Sequence, residues 1–516
     1  MDTKALRQKI LDLAIRGKLV PQDPNEEPAY VLLEKIRAEK QQMVKDGRLK
    51  TKDIKNDTII FKGEDNLHYE KFQDGSVKCI EDEIPFEVPE GWAWCRLKHV
   101  CTMAAGKAKP TDQIMTEPFE GCYPCFGGNG IRGYVDEYNQ HGIFSIVGRQ
   151  GALCGNINIA KGKFYATEHA IVTTLFSGID FNWSNYVLEA LQLNSYATGA
   201  AQPGLSVANV LNVFVPVPPT QEQVHIGIRI AESIKIIENI EDEKENLQTL
   251  ISSAKSKILD LAIRGKLVPQ NPNDEPASVL LERIRAEKEE LIKAGKIKRD
   301  KKESIIFKGD DNSYYEKIDD EVHCIDEELP FEIPKTWEWV RLQNCCTKEI
   351  RRGKSPKYTE QSNTLVFAQK CNTKYAGIDT GLALYLDEST LSKYSDDEYM
   401  QDGDIVVNST GTGTLGRIGF YRNYDNDAML PIVPDSHVTV IRACSSIQKF
   451  YLYIFMKANQ HKLEKQGEGS TNQKELKPLT LKNLLVPIPP YSEQERISAV
   501  IASAFSITSA IRKSLS

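Results

Sequence analysis

The 516-residue sequence has no apolar run approaching the roughly 18 residues that a membrane span needs, which argues against a membrane role. Its first stretch, MDTKALRQKILDLAIRGKL, lacks the uninterrupted apolar core of a secretory signal, so the chain is expected to stay in the cytoplasm. No GxxxxGK[ST] phosphate loop occurs, and no ATP motor is indicated. Cysteine is sparse: eleven residues, an odd number scattered along the chain, fit free thiols in a reducing compartment better than a disulfide framework. The one close pair, Cys122 and Cys125, has no second CxxC or HxxxH to complete the four ligands of structural zinc and reads as plain thiols. A surplus of positive charge is missing as well. Net charge is -7, with 8 basic against 10 acidic residues over 85–219 and 20 against 18 over 331–490. Phosphate neutralisation requires Lys and Arg, so any nucleic-acid affinity has to come from local patches or from partner subunits.

Bulk composition, 41% hydrophobic and 27% charged, is that of a globular protein, and the length implies two or three domains. The dominant feature is an internal duplication. Ile10 to Lys40 returns as Ile258 to Lys288 with 27 of 31 positions identical. A second block follows each copy: IIFKG at 59–63 and 305–309, then CIEDEIPFEVPEGWAWCRL from Cys79 and CIDEELPFEIPKTWEWVRL from Cys324. A third closes each half, VPVPPTQEQ from Val215 and VPIPPYSEQ from Val486. Between the second and third blocks the halves diverge almost completely, giving a constant frame with two variable inserts.

The frame reads as helix. Ile226, Ile230, Ile234, Ile237, Leu247, Ile251, Ala254, Ile258 and Leu261 step mostly by three and four, the spacing of a coiled-coil seam, with one polar interruption at Lys244. Pro218 and Pro219 mark the start of this helix, and Gly265 with Pro269 its end. At about 45 residues it would be a rod of roughly 65–70 Å. A second helix is predicted from Glu275 to Ala294, opened by Pro276. Aligned on the repeats, the chain stops where it would have to begin again. A C-terminal helix over Ile497 to Ser516 and an N-terminal one over Thr3 to Arg16 would therefore together imitate the central rod in a pseudo-twofold, almost circular layout. Tandem domains on a flexible string would not need heptads.

Each insert opens with a Trp pair, Trp92 with Trp94 and Trp337 with Trp339, which reads as core packing. FSIVGRQGALCGNINIA from Phe144 and GDIVVNSTGTGTLGRIGFYRN from Gly403 both read as strand, Gly-rich turn and returning strand. Gly411 to Gly416 matches GxGxxG, but RIGFY continues as strand where a dinucleotide site needs a helix. IPPY ending at Tyr491 resembles the PPY element of amino-methyltransferases, yet Ile488 stands where a polar residue would hold the amino group; both proline pairs read as helix starts. His169 beside Glu168 has no Ser or Cys nucleophile motif and reads as structural.

What remains suits recognition. GKAKPT, with Lys107 and Lys109, and RRGKSPK, with Arg351, Arg352, Lys354 and Lys357, lie just after the Trp pairs and offer cations on flexible backbone for phosphate contacts. Arg149 and Gln150 beside Gly151 match Asn408, Ser409 and Thr410 beside Gly411; Arg reads guanine bidentately, and Asn or Gln reads adenine. Arg132, Arg417, Gln202 in AAQPGLS, and Thr471, Asn472 and Gln473 in GEGSTNQKEL complete the candidate DNA-binding set. They recur at equivalent positions while differing in sequence, as two readers with different targets would.

At these blocks the chain resembles the specificity subunits of type I restriction-modification systems. ILDLAIRGKLVPQ with PNDEPASVLLERIRAEK is similar to their central conserved region, VPVPPTQEQ to the end of a target recognition domain, and GRQGALCGNI with ATEHAIV to a recognition-domain core. The resemblance implies an α+β protein of two α/β target recognition domains, strand-rich with Gly turns, separated by long antiparallel coiled-coil helices. The segments are then 1–50 (conserved helical), 51–84 (linker), 85–219 (first recognition domain), 220–298 (central coiled coil), 299–330 (linker), 331–490 (second recognition domain) and 491–516 (distal helix). Implied partners are double-stranded DNA, two methyltransferase subunits and restriction/translocase subunits. S-adenosylmethionine, ATP and Mg are expected on those partners, with no cofactor and no catalytic site on this chain. A full copy of the conserved block before the first recognition domain departs from many relatives and leaves the docking surface open. A reader fused to a methyltransferase or nuclease, and a coiled-coil scaffold without DNA contact, are the competing classes.

Overall fold

The computed structural model describes residues 2–151, 153–199, 203–299, 304–374, 377–411, 413–467 and 474–515. The chain divides into two units, Met1–Lys244 and Glu245–Ser516. Among the described residues no helix is long and apolar enough to cross a membrane.

In the first unit the helix Thr3–Ile15 is capped by the Asp2 carboxylate, which accepts from the Ala5 amide at 3.0 Å. The helix Ala29–Lys45 begins directly after Pro28 and buries Leu32 and Ile36. The stretch 51–84, expected as a linker, instead holds a three-stranded antiparallel sheet of Ile59–Lys62, His68–Lys71 and Val77–Cys79. Its strands, of three or four residues, are too short to show a period-2 pattern. The Glu70 carboxylate fastens this sheet to the insert by a bidentate pair with Arg96, at 3.2 and 2.7 Å.

The first insert opens on Ala93–Arg96 and closes on Phe214–Val217, and these two strands pair antiparallel, so it leaves and rejoins the frame at one place. Between them lies a six-stranded sheet in the order Cys101–Ala105, Ala170–Leu175, Gln140–Gly148, Ile157–Ala166, Tyr123–Gly127, Gly130–Val135. All neighbours are antiparallel except Tyr123–Gly127 against Ile157–Ala166. The helix Phe181–Ala190 buries Trp183, Val187 and Leu188 in one core with Trp92, Ile226 and Ile230.

The second unit repeats the frame. The helix Ala277–Lys293 falls where the sequence predicts one, and the expected linker 299–330 again carries a three-stranded sheet, Ser304–Lys308, Tyr314–Ile318 and Glu321–Cys324. Glu338–Arg341 pairs antiparallel with Leu485–Ile488. The insert holds a three-stranded sheet, Ile418–Phe420, Ile405–Asn408, Val438–Ile441, and a four-stranded one, Tyr358–Thr359, Leu384–Leu386, Leu365–Phe367, Ile432–Pro434.

The long helix runs from Thr220 to Ile263, 44 residues, close to the predicted length. Ile226, Ile230, Ile237 and Ile251 are buried as their spacing predicts, but Leu247 and Ala254 are exposed. Beyond Ile251 the buried positions are Leu259, Ala262 and Ile263; Leu259 and Ala262 share a core with Ile497 and Ile501 of the helix Tyr491–Leu515. That helix starts at Tyr491, the first residue of the expected distal helix 491–516, because Pro489 and Pro490 end the preceding strand and the chain turns helical at once.

Candidate nucleic-acid interface

Each insert builds the same backbone device at the end of its central strands. In the first, Gln140–Gly148 and Ile157–Ala166 pair antiparallel around the turn Arg149–Asn156. The Arg149 amide donates to the His169 carbonyl (2.9 Å), the Gly155 amide to the Gly148 carbonyl (2.8 Å), and the Leu205 amide to the Arg149 carbonyl (2.8 Å). In the second, the Ser409 amide donates to His437 (2.8 Å), Gly416 to Asn408 (2.8 Å), and Leu476 to Ser409 (2.9 Å). Gly151 and Gly411 both sit at φ above 90°, left-handed backbone that favours glycine. Gly106 and Gly353 lie so close to the neighbouring turn that a Cβ would stand 2.1 Å from the Ala166 carbonyl oxygen and 2.3 Å from that of Pro434. The sequence-level matching of the two inserts is thus realised bond for bond, with Arg149 opposite Ser409, Gln150 opposite Thr410 and His169 opposite His437.

In the first unit, Gln150 is exposed and Arg149 half-buried, its guanidinium donating to the Glu168 carbonyl at 3.3 Å. His169, expected as a structural residue, is half-exposed, with Nε2 3.3 Å from the Glu168 carboxylate. The imidazole therefore belongs to the rim of the turn, and the structural bond at this residue is made by its carbonyl. Exposed Lys107 follows Gly106, and its amide donates to Ala166 at 3.0 Å. Exposed Arg132 donates to the Thr111 hydroxyl at 2.9 Å. Lys109 is occupied: its ammonium lies 3.0 Å from Glu137 and 3.6 Å from Asp136 and is 9% exposed, and the bond to Glu137 pushes its pKa up. The sequence reading missed Asn129 and Asn156, exposed amides bonded to each other at 2.9 Å. A Cβ at Gly128 would stand 3.3 Å from the Gln150 carbonyl oxygen and 3.4 Å from that of His169, so this pair lies beside the same turn. The Gly127–Gly130 run was its only trace in the sequence.

In the second unit two candidates turn inward. Asn408 is fully buried, donating to the Gln369 carbonyl (3.1 Å) and accepting from Asn372 (3.2 Å); Ser409 is fully buried, its hydroxyl 2.6 Å from that of Thr439. Their hydrogen-bonding capacity is used inside the fold, so neither presents an edge to a base. Thr410 is the outward residue, its hydroxyl 2.7 Å from Nδ1 of exposed His437. Arg417 organises the turn, donating to the carbonyls of Asn372 (2.8 Å) and Gly413 (3.1 Å).

The cations of RRGKSPK are paired within the protein. Arg351 and Lys354 share the buried Glu398 carboxylate, Arg352 reaches Glu475 at 3.1 Å, and Lys357 reaches Asp387 at 2.6 Å. Lys348, whose pKa burial pushes down, joins the Glu398 cluster at 3.7 Å. Burial pushes the Asp435 carboxyl up even though it accepts the His437 amide at 2.8 Å. Gln202, Thr471, Asn472 and Gln473 lie outside the described residues.

The remaining motifs resolve simply. Gly411–Gly416 joins two antiparallel strands, and Pro490 precedes the first helical residue, Tyr491. Trp92, Trp94, Trp337 and Trp339 are buried. Cys125 packs against Val135 and Tyr165, with burial raising its thiol pKa, and Cys122 accepts the Phe119 amide at 3.3 Å.

The sequence profile of the type I restriction modification DNA specificity domain matches residues 89–249 and 334–516, the two stretches that carry these turns. The type I restriction enzyme EcoEI specificity subunit of Escherichia coli is 26% identical over 588 aligned positions, spanning 99% of this chain and 90% of the relative. The EcoAI specificity subunit of Escherichia coli is 28% identical over 418 residues, 66% of this chain and 62% of that one. A solved chain described as "Structural basis underlying complex assembly and conformational transition of the type I R-M system" shares the fold with a TM-score of 0.52 at 16% identity, covering 84% of this chain and 94% of its own.

Proposed function

The chain belongs to the family of type I restriction-modification DNA specificity subunits, and from that premise we propose that each of its two inserts reads one half of an asymmetric, bipartite DNA target. The observation that carries the proposal is the repeated turn: one backbone hydrogen-bond scheme, held by the same glycines, displays Arg149, Gln150 and His169 in one unit and Thr410 and His437 in the other. A rigid scaffold with exchanged side chains is what reading two different sequences requires. Arg149 and Gln150 suit guanine and adenine respectively, and Lys107 and Arg132 supply phosphate contacts beside them.

The constant frame takes the remaining roles. The long helices hold the readers apart and fix the unread spacer. The duplicated frame offers equivalent docking surfaces to two methyltransferase subunits, to which restriction/translocase subunits add. Base methylation, translocation and cleavage, with S-adenosylmethionine, ATP and Mg, belong to those partners, and this chain contributes no catalytic group. Arg351, Arg352, Lys354 and Lys357 are paired with Glu398, Glu475 and Asp387, which fits a subunit that shares its phosphate contacts with partners.

The test is a gel shift of the chain with its methyltransferase subunit on duplexes carrying the motif found by mapping methylated bases in host DNA. Salt-sensitive binding that needs both half-sites supports the reading. Absence of any shift favours a scaffold, and methylation or cutting by the purified chain alone, with S-adenosylmethionine or a divalent metal, favours a fused enzyme.

A further inference from the structure

The start of each long helix is tied to the Trp-bearing loop by a buried carboxylate that the reading above leaves unused. In the first unit Glu222 accepts the Trp92 indole N–H at 2.9 Å through one oxygen and the Gln22 amide at 3.2 Å through the other. Gln22 also donates to the Gly17 carbonyl at 2.7 Å. The next residue, Gln223, accepts the Asp180 amide at 2.9 Å and donates to the Pro218 carbonyl at 3.0 Å. Asp180 is the cap of the insert's helix Phe181–Ala190.

The second unit repeats the node, with only the capping residue changed. Glu493 accepts from Trp337 at 3.0 Å and from Gln270 at 2.6 Å. Gln494 accepts the amide of Gln448, the cap of the helix Lys449–Ala458, at 2.9 Å and donates to the Pro489 carbonyl at 2.9 Å. Glu222, Gln223, Glu493 and Gln494 are each at most 3% exposed.

A carboxylate buried among neutral donors is a costly way to fill a core, and burial pushes both glutamate pKa values up. An apolar side chain would fill the space at less cost but would fix no direction, whereas hydrogen bonds constrain angle as well as distance. Each node joins three parts of its unit. The Glu-Gln pair stands on the helix start, the capped helix belongs to the insert, and Trp92 or Trp337, at the insert's entrance, belongs with Gln22 or Gln270 to the constant blocks. The bonds therefore fix the direction in which each insert leaves its helix.

We propose that the Glu222–Trp92 and Glu493–Trp337 nodes are positioning elements that set which spacing between the two half-sites the protein accepts. The proposal rests on the bipartite reading of the preceding subsection. A tilt of one insert by loosening its node displaces its reading turn without altering the side chains that read, so spacing selectivity and half-site affinity separate.

The experiment uses the chain co-purified with its methyltransferase subunit and fluorescent duplexes carrying the mapped target with its native spacer, one base pair fewer, or one more. Trp92→Phe removes a single hydrogen bond and keeps an aromatic ring; Glu222→Leu replaces the carboxylate by an apolar group of similar size, and circular dichroism checks that both are folded. In both variants the preference for the native spacer is expected to fall about tenfold, while affinity for a duplex with only the first half-site changes less than about twofold. Unchanged spacer preference in a folded Trp92→Phe complex overturns the proposal, as does a half-site affinity that falls in step with the preference. If the unsubstituted complex needs only one half-site, the bipartite reading itself fails, and the unsubstituted control shows this before any variant is compared.

Discussion

The amide of Arg149 donates to the carbonyl of His169 at 2.9 Å, so the residue that leads the Gly-rich turn is fastened to the residue that closes the neighbouring one. Ser409 and His437 repeat the bond at 2.8 Å. Because the bond is between backbones, it holds the turns together whatever side chains they carry. Specificity can then vary without rebuilding the scaffold.

Asn408 separates a supporting residue from a reading one. Its replacement by alanine leaves the Asn372 amide and the Gln369 carbonyl without their buried partner, at a cost of about 1–3 kcal/mol. Asn408→Ala is expected to lower the thermal unfolding midpoint and to leave the recognised bases unchanged. A changed methylation motif in a fully stable variant would return Asn408 to the reading set.

Gly106 and Gly353 test the close approach of the basic segments to the turns. Gly106→Ala sets a Cβ 2.1 Å from the Ala166 carbonyl oxygen, and relief requires backbone movement costing about 1–3 kcal/mol. The expected result is a less stable first unit with the Lys107 segment lifted off the turn, read as faster hydrogen exchange at the Lys107 amide. Exchange equal to that of the unsubstituted protein would contradict the packing.

The frame was largely legible from the sequence, because repeats, proline pairs and three-four spacing report directly on helices. Thr220–Ile263 begins right after Pro218–Pro219 and ends just before Gly265, as read. The small sheets at 59–79 and 304–324 were not legible, since strands of three to five residues with mixed charge carry little periodicity. Within the site, the Gly turn and the matching of the two inserts were visible. The inward orientation of Asn408 and Ser409 was not, because side-chain direction at a strand end depends on what packs above it, here Asn372 and Thr439. Nor could the sequence pair Lys109 with Glu137, 28 residues away, or Lys354 with Glu398.

Glu70 and Glu316 give the pH dependence. Burial raises each carboxyl, but the bonds and charge of Arg96 with the Thr58 hydroxyl, and of Arg341 with the Ser304 hydroxyl, together outweigh it and hold both below the usual 4.5. A carboxylate with a lowered folded-state pKa contributes stability that is present above pH 4.5 and is lost as pH falls through the folded value. Glu70→Gln is therefore expected to cost about 3 kcal/mol at pH 7 and progressively less below pH 4.5, measured as urea unfolding across pH. A cost that does not shrink in acid would contradict the ion pair as its source.

The long helix is accessible to a ruler test. Inserting four residues near Lys244, where the helix surface is exposed, adds about one turn, roughly 6 Å. The mapped target is expected to gain one or two unread base pairs, at about 3.4 Å each. An unchanged spacer would count against the helix as the element that sets it.

The most direct measurement of the central claim is mapping of methylated bases in cells carrying the unsubstituted chain, a variant with Arg149→Ala and Gln150→Ala, or one with Thr410→Ala and His437→Ala. The account predicts an asymmetric bipartite motif in which the first pair relaxes only one half and the second pair only the other, each lost contact weakening discrimination by about 1–3 kcal/mol. A motif altered in both halves by either pair, or in neither half by both, would contradict two independent readers on one chain.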